Sequence, residues 1–135
     1  MADIEIGQTF VHLRSTSLFQ GDKAKYFIAM SCADCEGDEF ACFVMNTERM
    51  MEKYLLYCNK SKQKFIIPPG TFSFITNNTA IMLAKPAIYK YEEMYEDHIR
   101  LLDLAPALLC SQIKNCIDWD YIPLKITKMI KEHLK

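Results

Sequence analysis

The six cysteines are the residues of this chain whose chemistry depends most directly on spacing. Cys32 and Cys35 are separated by two residues, as in half of many zinc sites. Cys42 lies within an apolar run and Cys58 is distant along the chain, so the pattern lacks a second closely spaced pair and predicts no metal site. A redox-active pair with this spacing normally opens a helix, whose dipole lowers the pKa of the thiol. Cys32 and Cys35 open a predicted hairpin loop instead, so a redox role is not favoured. No export signal accompanies the cysteines, so we expect reduced thiols, with the remaining two as small core residues: Cys110 and Cys116.

A histidine and an arginine near the end of the first predicted strand form a second candidate site. His12 could exchange a proton near neutral pH, and Arg14 follows two residues later, on the same side of an extended strand. The alternative is that His12 is a partly exposed strand residue and Arg14 a solvated cation. His98 and His133 are expected to be ordinary surface residues.

Three alternating lysines form a third candidate site. Lys60, Lys62 and Lys64 would share one side of an extended arm and could follow a phosphate backbone, with Tyr57 or Tyr54 as a stacking surface. The alternative is a solvated turn whose positive charges prevent the edge of another sheet from pairing there.

Composition indicates one globular domain. The chain has 135 residues, 50% of them hydrophobic, which suffices for a single core. Its 16 basic and 17 acidic residues leave a net charge of −1, so any contact with a nucleic acid must be local. No uncharged apolar run approaches the ~20 residues that span a bilayer, and the acidic start does not resemble a secretory signal. We therefore expect a cytoplasmic protein that does not contact membranes.

Two apolar runs predict the centre of the fold. Residues 26–31 and 40–47 are rich in aromatic and β-branched side chains and flank a polar connector, which favours a hairpin buried on both faces. Further strands are predicted at residues 6–13, 54–58, 65–67 and 80–84. The polar segment from Arg14 to Ala24 is long for a hairpin loop, and such loops are often functional.

The last third of the chain has a helical pattern. Asp103 is a plausible N-cap for one amphipathic helix, and a second is predicted from about Ile122 to Leu134, with lysines on its polar face. Strands followed by helices predict an α+β domain on a small, strongly bent antiparallel sheet or barrel. We expect the β portion at residues 4–90 and the helical addition at residues 91–135.

The order of these segments resembles the MazF/PemK/Kid toxins and their relatives. The resemblance rests on the glycine-containing start of the first strand (Ile6-Gly7-Gln8-Thr9-Phe10), on the two central runs, and on the proline-glycine turn and aromatic stretch at residues 69–81. It covers about residues 4–90.

This resemblance implies an SH3-like barrel, commonly a homodimer, that cleaves single-stranded RNA without a metal or cofactor and pairs with an antitoxin. Lys25 falls at the position of the catalytic arginine of active members, and Thr47 at the polar position after the third strand. Lysine lacks the bidentate fork of arginine, and Tyr26 replaces the proline that follows it in the family. His12 would be the base that deprotonates the 2′-hydroxyl, beside Arg14.

Three functions follow from these patterns. A ribonuclease-like toxin requires Arg14, Lys25 and Thr47 to converge on one groove. A catalytically silent relative would instead be a non-catalytic SH3-like protein-binding module with an apolar, uncharged groove in that place. In a mobile-element accessory protein, residues 89–98 and the basic face of the last helix would contact a partner. The acidic residues 92–97 could also cover Lys25, or form a solvated linker.

Overall fold

Seven β-strands and two α-helices build the part of the chain that the computed structural model describes, residues 4–13, 24–32, 39–90 and 99–133. The strands are β1 (Gln8–His12), β2 (Lys25–Ala29), β3 (Glu39–Thr47), β4 (Tyr57–Asn59), β5 (Lys64–Ile67), β6 (Thr79–Lys90) and β7 (Ile99–Leu104). The helices are α1 (Ala107–Cys116) and α2 (Leu124–His133), and 3-10 turns lie at Met51–Lys53, Lys60–Lys62 and Trp119–Tyr121. The predicted α+β class is confirmed.

The strands form one antiparallel sheet in the order β4-β5-β6-β3-β2-β1-β7. β4 and β7 lie at its two edges and do not pair with each other, so the described sheet is open and the closed barrel predicted from the sequence is not formed. The ladder between β3 and β6 changes register between Phe43 and Met45. Such an irregularity bends the strands locally.

The central hairpin is buried on both faces, as its two apolar runs predict. Tyr26 lies opposite Met45, and Phe27 lies opposite Val44. Because side chains alternate along a strand, the first pair faces one core and the second pair faces the other. β3 contributes to both cores through six consecutive buried residues, 40–45.

The two cores differ in the side chains that form them and in their contacts with the helices. One face, which we call the helical face, packs against α1 and α2 through isoleucines and cysteines that include Ile113, Ile126 and Ile130. The opposite face, which we call the aromatic face, centres on rings of Phe10, Phe27, Phe40 and Tyr89 with centroids 5.2–6.0 Å apart. Edge-to-face and stacked contacts of this kind add to the burial energy of the rings.

Gly7 joins three elements at one point. Its backbone nitrogen donates to the carbonyl of Ala29, and its carbonyl accepts from the nitrogen of Ala105. The residue has φ = +91°, and a Cβ there would lie 2.8 Å from the Cys110 sulfur. A side chain at this position would therefore separate the start of β1 from α1.

The C-terminal part differs from the prediction in one element. Residues 99–104 form β7, which pairs with β1, so the predicted boundary between a β portion ending at residue 90 and a helical remainder is wrong. Asp103 lies in this strand rather than at a helix N-cap, and α1 begins after Pro106. The second predicted helix is confirmed as α2. Among the described residues, neither helix is long and apolar enough to cross a membrane.

Candidate functional site

Four strand ends gather most of the predicted catalytic residues at one end of the sheet. β1 ends at His12, β2 begins at Lys25, and β3 ends at Thr47. His12 lies opposite Lys25, and Thr47 lies opposite Thr79 at the start of β6. Arg14 falls outside the described residues.

The two faces of the sheet separate these residues. Tyr26 and Met45 point to the helical face, so Thr47, two residues beyond Met45, points there as well. Lys25 precedes Tyr26 and therefore points to the aromatic face. The predicted convergence of Lys25 and Thr47 on one groove is not found, because the register of β2 against β3 places them on opposite sides of the sheet.

His12 is held in the aromatic face. It is 2% exposed, and its ring centroid lies 6.3 Å from that of Tyr89. Its predicted role as a base for a substrate hydroxyl would need an imidazole that substrate can reach. In this conformation the side chain packs against the protein interior instead.

Thr47 opens onto an uncharged groove, which we call the aromatic groove. The groove has a volume of about 200 Å³. Its lining combines aromatic, aliphatic and hydrogen-bonding side chains: Tyr26, Met45, Thr47, Phe74, Ile75, Thr76, Asn77 and Thr79. The rings of Tyr26 and Phe74 stack with centroids 5.1 Å apart and planes 9° apart. Hydroxyl and carboxamide groups thus lie beside an aromatic wall, and the lining contains no Asp, Glu, His, Lys or Arg.

The loop between β5 and β6, residues 68–78, positions Phe74. Within the loop, the Gly70 nitrogen donates to the carbonyl of Ile75 over 2.8 Å. Phe72 is buried and stacks on Phe74 at 5.7 Å, which continues the ring array into the core. Outside the loop, the carboxylate of Asp103 accepts hydrogen bonds from the Ser73 nitrogen (2.6 Å) and hydroxyl (2.8 Å).

Asp103 connects the loop to the far edge of the sheet, because it belongs to β7. The two hydrogen bonds from the backbone nitrogen and the hydroxyl of Ser73 hold the pKa of Asp103 below its ordinary value. The carboxylate is therefore ionised at neutral pH. The loop is therefore joined to β5 and β6 at its ends and to β7 through Ser73 near its middle.

The predicted lysine track has a different geometry. Lys60 and Lys62 lie in a 3-10 turn, and only Lys64 is in a strand, so the three side chains do not alternate along one extended arm. Lys62 donates to the carbonyl of Lys53, and Lys62 and Lys64 both lie over the ring of Tyr54, at 4.8 and 4.5 Å from its centroid. Internal contacts therefore engage two of the three cations.

Lys64 also forms an ion pair with Glu48 at 2.8 Å, and it donates to the Tyr54 hydroxyl at 3.0 Å. The hydrogen bond to Glu48 is the largest influence on Lys64 and raises the pKa of its ammonium. Burial acts to raise the pKa of Glu48, but the hydrogen bonds and charge of its partners outweigh burial and lower it. Tyr57, the predicted stacking residue, is 48% exposed and tilted against Phe65.

The cysteines differ from the prediction that all thiols are reduced. Cys58 and Cys116 form a disulfide between β4 and the end of α1. Cys32, Cys42 and Cys110 are outside disulfide bonds, and Cys35 is not among the described residues. The described ranges contain no group of three His, Cys, Asp or Glu side chains placed to hold a metal ion.

The groove residues other than Thr47 were not predicted as a site. From the sequence, Tyr26 is predicted in a buried hairpin strand, Phe72 and Phe74 lie in the aromatic stretch at residues 69–81, and none of them is assigned to a site. The signal in the sequence is the alternation of the rings of Phe72 and Phe74 with Thr71 and Ser73, directly after Pro68-Pro69-Gly70. The position of Tyr26 beside this loop depends on the order of the strands.

Comparisons of the chain with protein-family models, with curated proteins and with solved structures find no match. The function is therefore inferred from the site itself.

Proposed function

We propose that this chain is a toxin-related protein that binds single-stranded RNA in the aromatic groove and does not cleave it. The observation that carries the proposal is the stacked wall of Tyr26 and Phe74 beside the groups of Thr47, Thr76 and Asn77. Unpaired bases stack on aromatic rings and form hydrogen bonds through their exposed edges.

Binding without cleavage follows from the positions of the catalytic candidates. Cleavage by the 2′-hydroxyl needs a base and a cation on the same side of the scissile phosphate as the other catalytic groups. Lys25 lies across the sheet from Thr47, and His12 is buried. An RNA strand that passes around this end of the sheet can place a base in the groove and a phosphate near Lys25, but it does not meet a complete catalytic set.

The same proposal makes the chain a relative of the MazF/PemK proteins with an SH3-like ancestry. It also includes a homodimer and an antitoxin partner. The uncharged groove is the feature expected of a catalytically silent relative. A groove lined by aromatic rings could also accept an extended peptide. The charge at Lys25, at the same end of the sheet, favours RNA.

Fluorescence anisotropy with a labelled single-stranded RNA of mixed sequence tests the proposal. We expect the protein to bind this single-stranded RNA, and to bind the corresponding duplex more weakly. Phe74→Ala should reduce the affinity about 5- to 150-fold, because stacking contributes about 1–3 kcal/mol per base. Thr47→Val should reduce it less, because it keeps the shape of the side chain and removes only a hydroxyl.

Tyr121→Ala is the matched control, since Tyr121 is an aromatic residue, 58% exposed, that does not line the groove. It should bind RNA as the unmodified protein does. Circular dichroism checks that Phe74→Ala is folded. Equal affinity of Phe74→Ala and the unmodified protein would refute binding in the groove, as would equal binding of duplex. Cleavage of the end-labelled RNA that Lys25→Ala abolishes would refute the non-catalytic assignment.

A further inference from the structure

The disulfide of the described residues joins an exposed strand to a buried helix end. Cys58 lies in β4, a three-residue strand at the edge of the sheet that pairs only with β5. Cys58 is exposed, whereas Cys116 is 0% exposed. A thiol in solution can therefore approach one half of the bond and not the other.

Apart from the disulfide, the chain around Cys58 is attached through the pairing of β4 with β5 and through contacts of Tyr54 with Lys64, and the 3-10 turns on either side of it contain no buried residue. Residues 50–62, which we call the edge segment, expose large apolar side chains: Met50, Leu55, Leu56 and Tyr57 are 44–77% exposed. Several of the hydrogen bonds of the edge segment are internal. The Asn59 carboxamide binds the backbone of Leu55 and Tyr57, and Lys62 binds the carbonyl of Lys53.

The end of α1 has a second attachment that does not depend on the disulfide. The Gln63 side chain donates to the carbonyl of Cys116 at 3.0 Å and accepts from the nitrogen of Asp118 at 2.8 Å. Gln63 directly precedes β5 and is 2% exposed. Loss of the disulfide would therefore release the edge segment from α1, while β5 remains attached to the helix through Gln63.

We propose that Cys58 is a thiol-exchange site, through which a dithiol reductant opens the Cys58–Cys116 bond and releases the edge segment from α1. The proposal does not depend on RNA binding. Exposed disulfides are the class that exchanges readily, and segments with few buried contacts open locally at low cost.

The exchange proceeds in two displacements. A thiolate of the dithiol attacks the Cys58 sulfur, the bond to Cys116 breaks, and Cys116 leaves as a thiolate that takes a proton from water. The second thiol of the reagent, as its thiolate, then attacks the reagent sulfur of the mixed disulfide, and Cys58 leaves as a thiolate. The protein disulfide gains two electrons and the dithiol is oxidised to a disulfide.

The other described cysteines are poor sites for the same reaction. Cys110 is 2% exposed, and desolvation by burial raises the pKa of its thiol, so that it is mostly protonated. Cys42 is 0% exposed, and Cys32 is half-buried. Cys58 combines an exposed position with a bond to an element of the core.

Dithiothreitol treatment of the folded protein, followed by alkylation and peptide mass mapping, tests the exchange. Before treatment, Cys58 and Cys116 should resist alkylation as a linked pair. After treatment without denaturant, Cys58 should be alkylated. Brief digestion with trypsin then reports on the edge segment, and we expect cleavage after Lys53, Lys60 and Lys62 to accelerate about tenfold on reduction.

Two variants complete the experiment. Cys58→Ser should be cleaved at the rate of the reduced protein and should not respond to dithiothreitol. Cys32→Ser should respond as the unmodified protein does. The proposal is overturned if both cysteines are alkylated without reduction, if the bond opens only in denaturant, or if reduction leaves the cleavage rate unchanged. Global unfolding of Cys58→Ser, seen by circular dichroism, would also overturn it, because the bond would then be required for the fold.

Discussion

Gln63 shows at the scale of a residue how one side chain holds two elements together. Its carboxamide nitrogen donates to the carbonyls of Lys60 and Cys116, and its oxygen accepts from the nitrogen of Asp118. The carbonyl of Cys116 belongs to the last turn of α1, where backbone groups lack partners within the helix. Gln63 itself has a left-handed backbone conformation, with φ = 52°.

Gln63→Ala should reduce the free energy of unfolding by about 2–4 kcal/mol, because the buried carbonyl of Cys116 and the partly buried nitrogen of Asp118 would lose their partner. Urea denaturation under non-reducing conditions measures the change, so that the disulfide stays intact. Gln112→Ala, which removes an exposed glutamine from α1, should stay within about 0.5 kcal/mol of the unmodified protein. An equally small effect of Gln63→Ala would mean that water replaces the side chain in this role.

Contacts between residues far apart in the chain could not be predicted from the local sequence pattern. A turn is one of the two interpretations of the lysine segment, and a 3-10 turn is found at Lys60–Lys62, but Cys116 and Asp118, which Gln63 binds, lie more than 50 residues later. The separation of Lys25 from Thr47 has a similar origin. Each residue was correctly placed at a strand end, yet the face that each one occupies depends on the register of β2 against β3, and a shift by one residue would exchange the faces.

At the scale of elements, the loop of residues 68–78 determines the shape of the aromatic groove. It carries Phe74, and its link to β7 through Ser73 and Asp103 restrains it from the far side. The groove therefore depends on a residue that does not line it. Asp103 is a positioning residue in the proposed function.

Asp103→Asn should weaken RNA binding about three- to tenfold, because a neutral carboxamide holds Ser73 less firmly than a carboxylate does. The pKa of Asp103 is lowered in the folded protein, so the link is complete above its ordinary value of 3.8 and is lost as the pH falls through the lowered pKa. Binding should not vary with pH near neutrality on this account. Anisotropy at neutral pH measures the change, with Asp120→Asn as an exposed control; wild-type affinity of Asp103→Asn would contradict the positioning role.

Elements with strong local patterns were predicted, and those that depend on distant partners were missed. β2 and β3 have continuous apolar runs, and α2 repeats isoleucines at helical spacing. β7 contains Leu101, Leu102 and Leu104, has only half-buried or exposed positions, and immediately precedes a helix. Its extended conformation depends on pairing with β1, about 90 residues earlier, so the local pattern favoured a helix.

At the scale of the whole molecule, charge distribution distinguishes two ways of binding RNA. The chain has a net charge of −1, and its aromatic groove is uncharged. Lys25 lies at the same end of the sheet as the groove, on the opposite face. The lysine track predicted from the sequence would instead use Lys60, Lys62 and Lys64. Because each phosphate contact releases counterions, the salt dependence of binding counts the cations that take part.

We expect a shallow dependence, with the logarithm of the association constant falling by about 0.7 per tenfold rise in salt, the value for one contact with a single strand. Lys25→Ala should bring the slope near zero, whereas the double variant Lys60→Ala, Lys62→Ala should leave it unchanged. Anisotropy titrations over a range of salt concentrations measure all three slopes. A slope of about −2 that the double variant reduces would place the RNA on Lys60, Lys62 and Lys64 instead, because three cations that do not line the aromatic groove would then be releasing counterions.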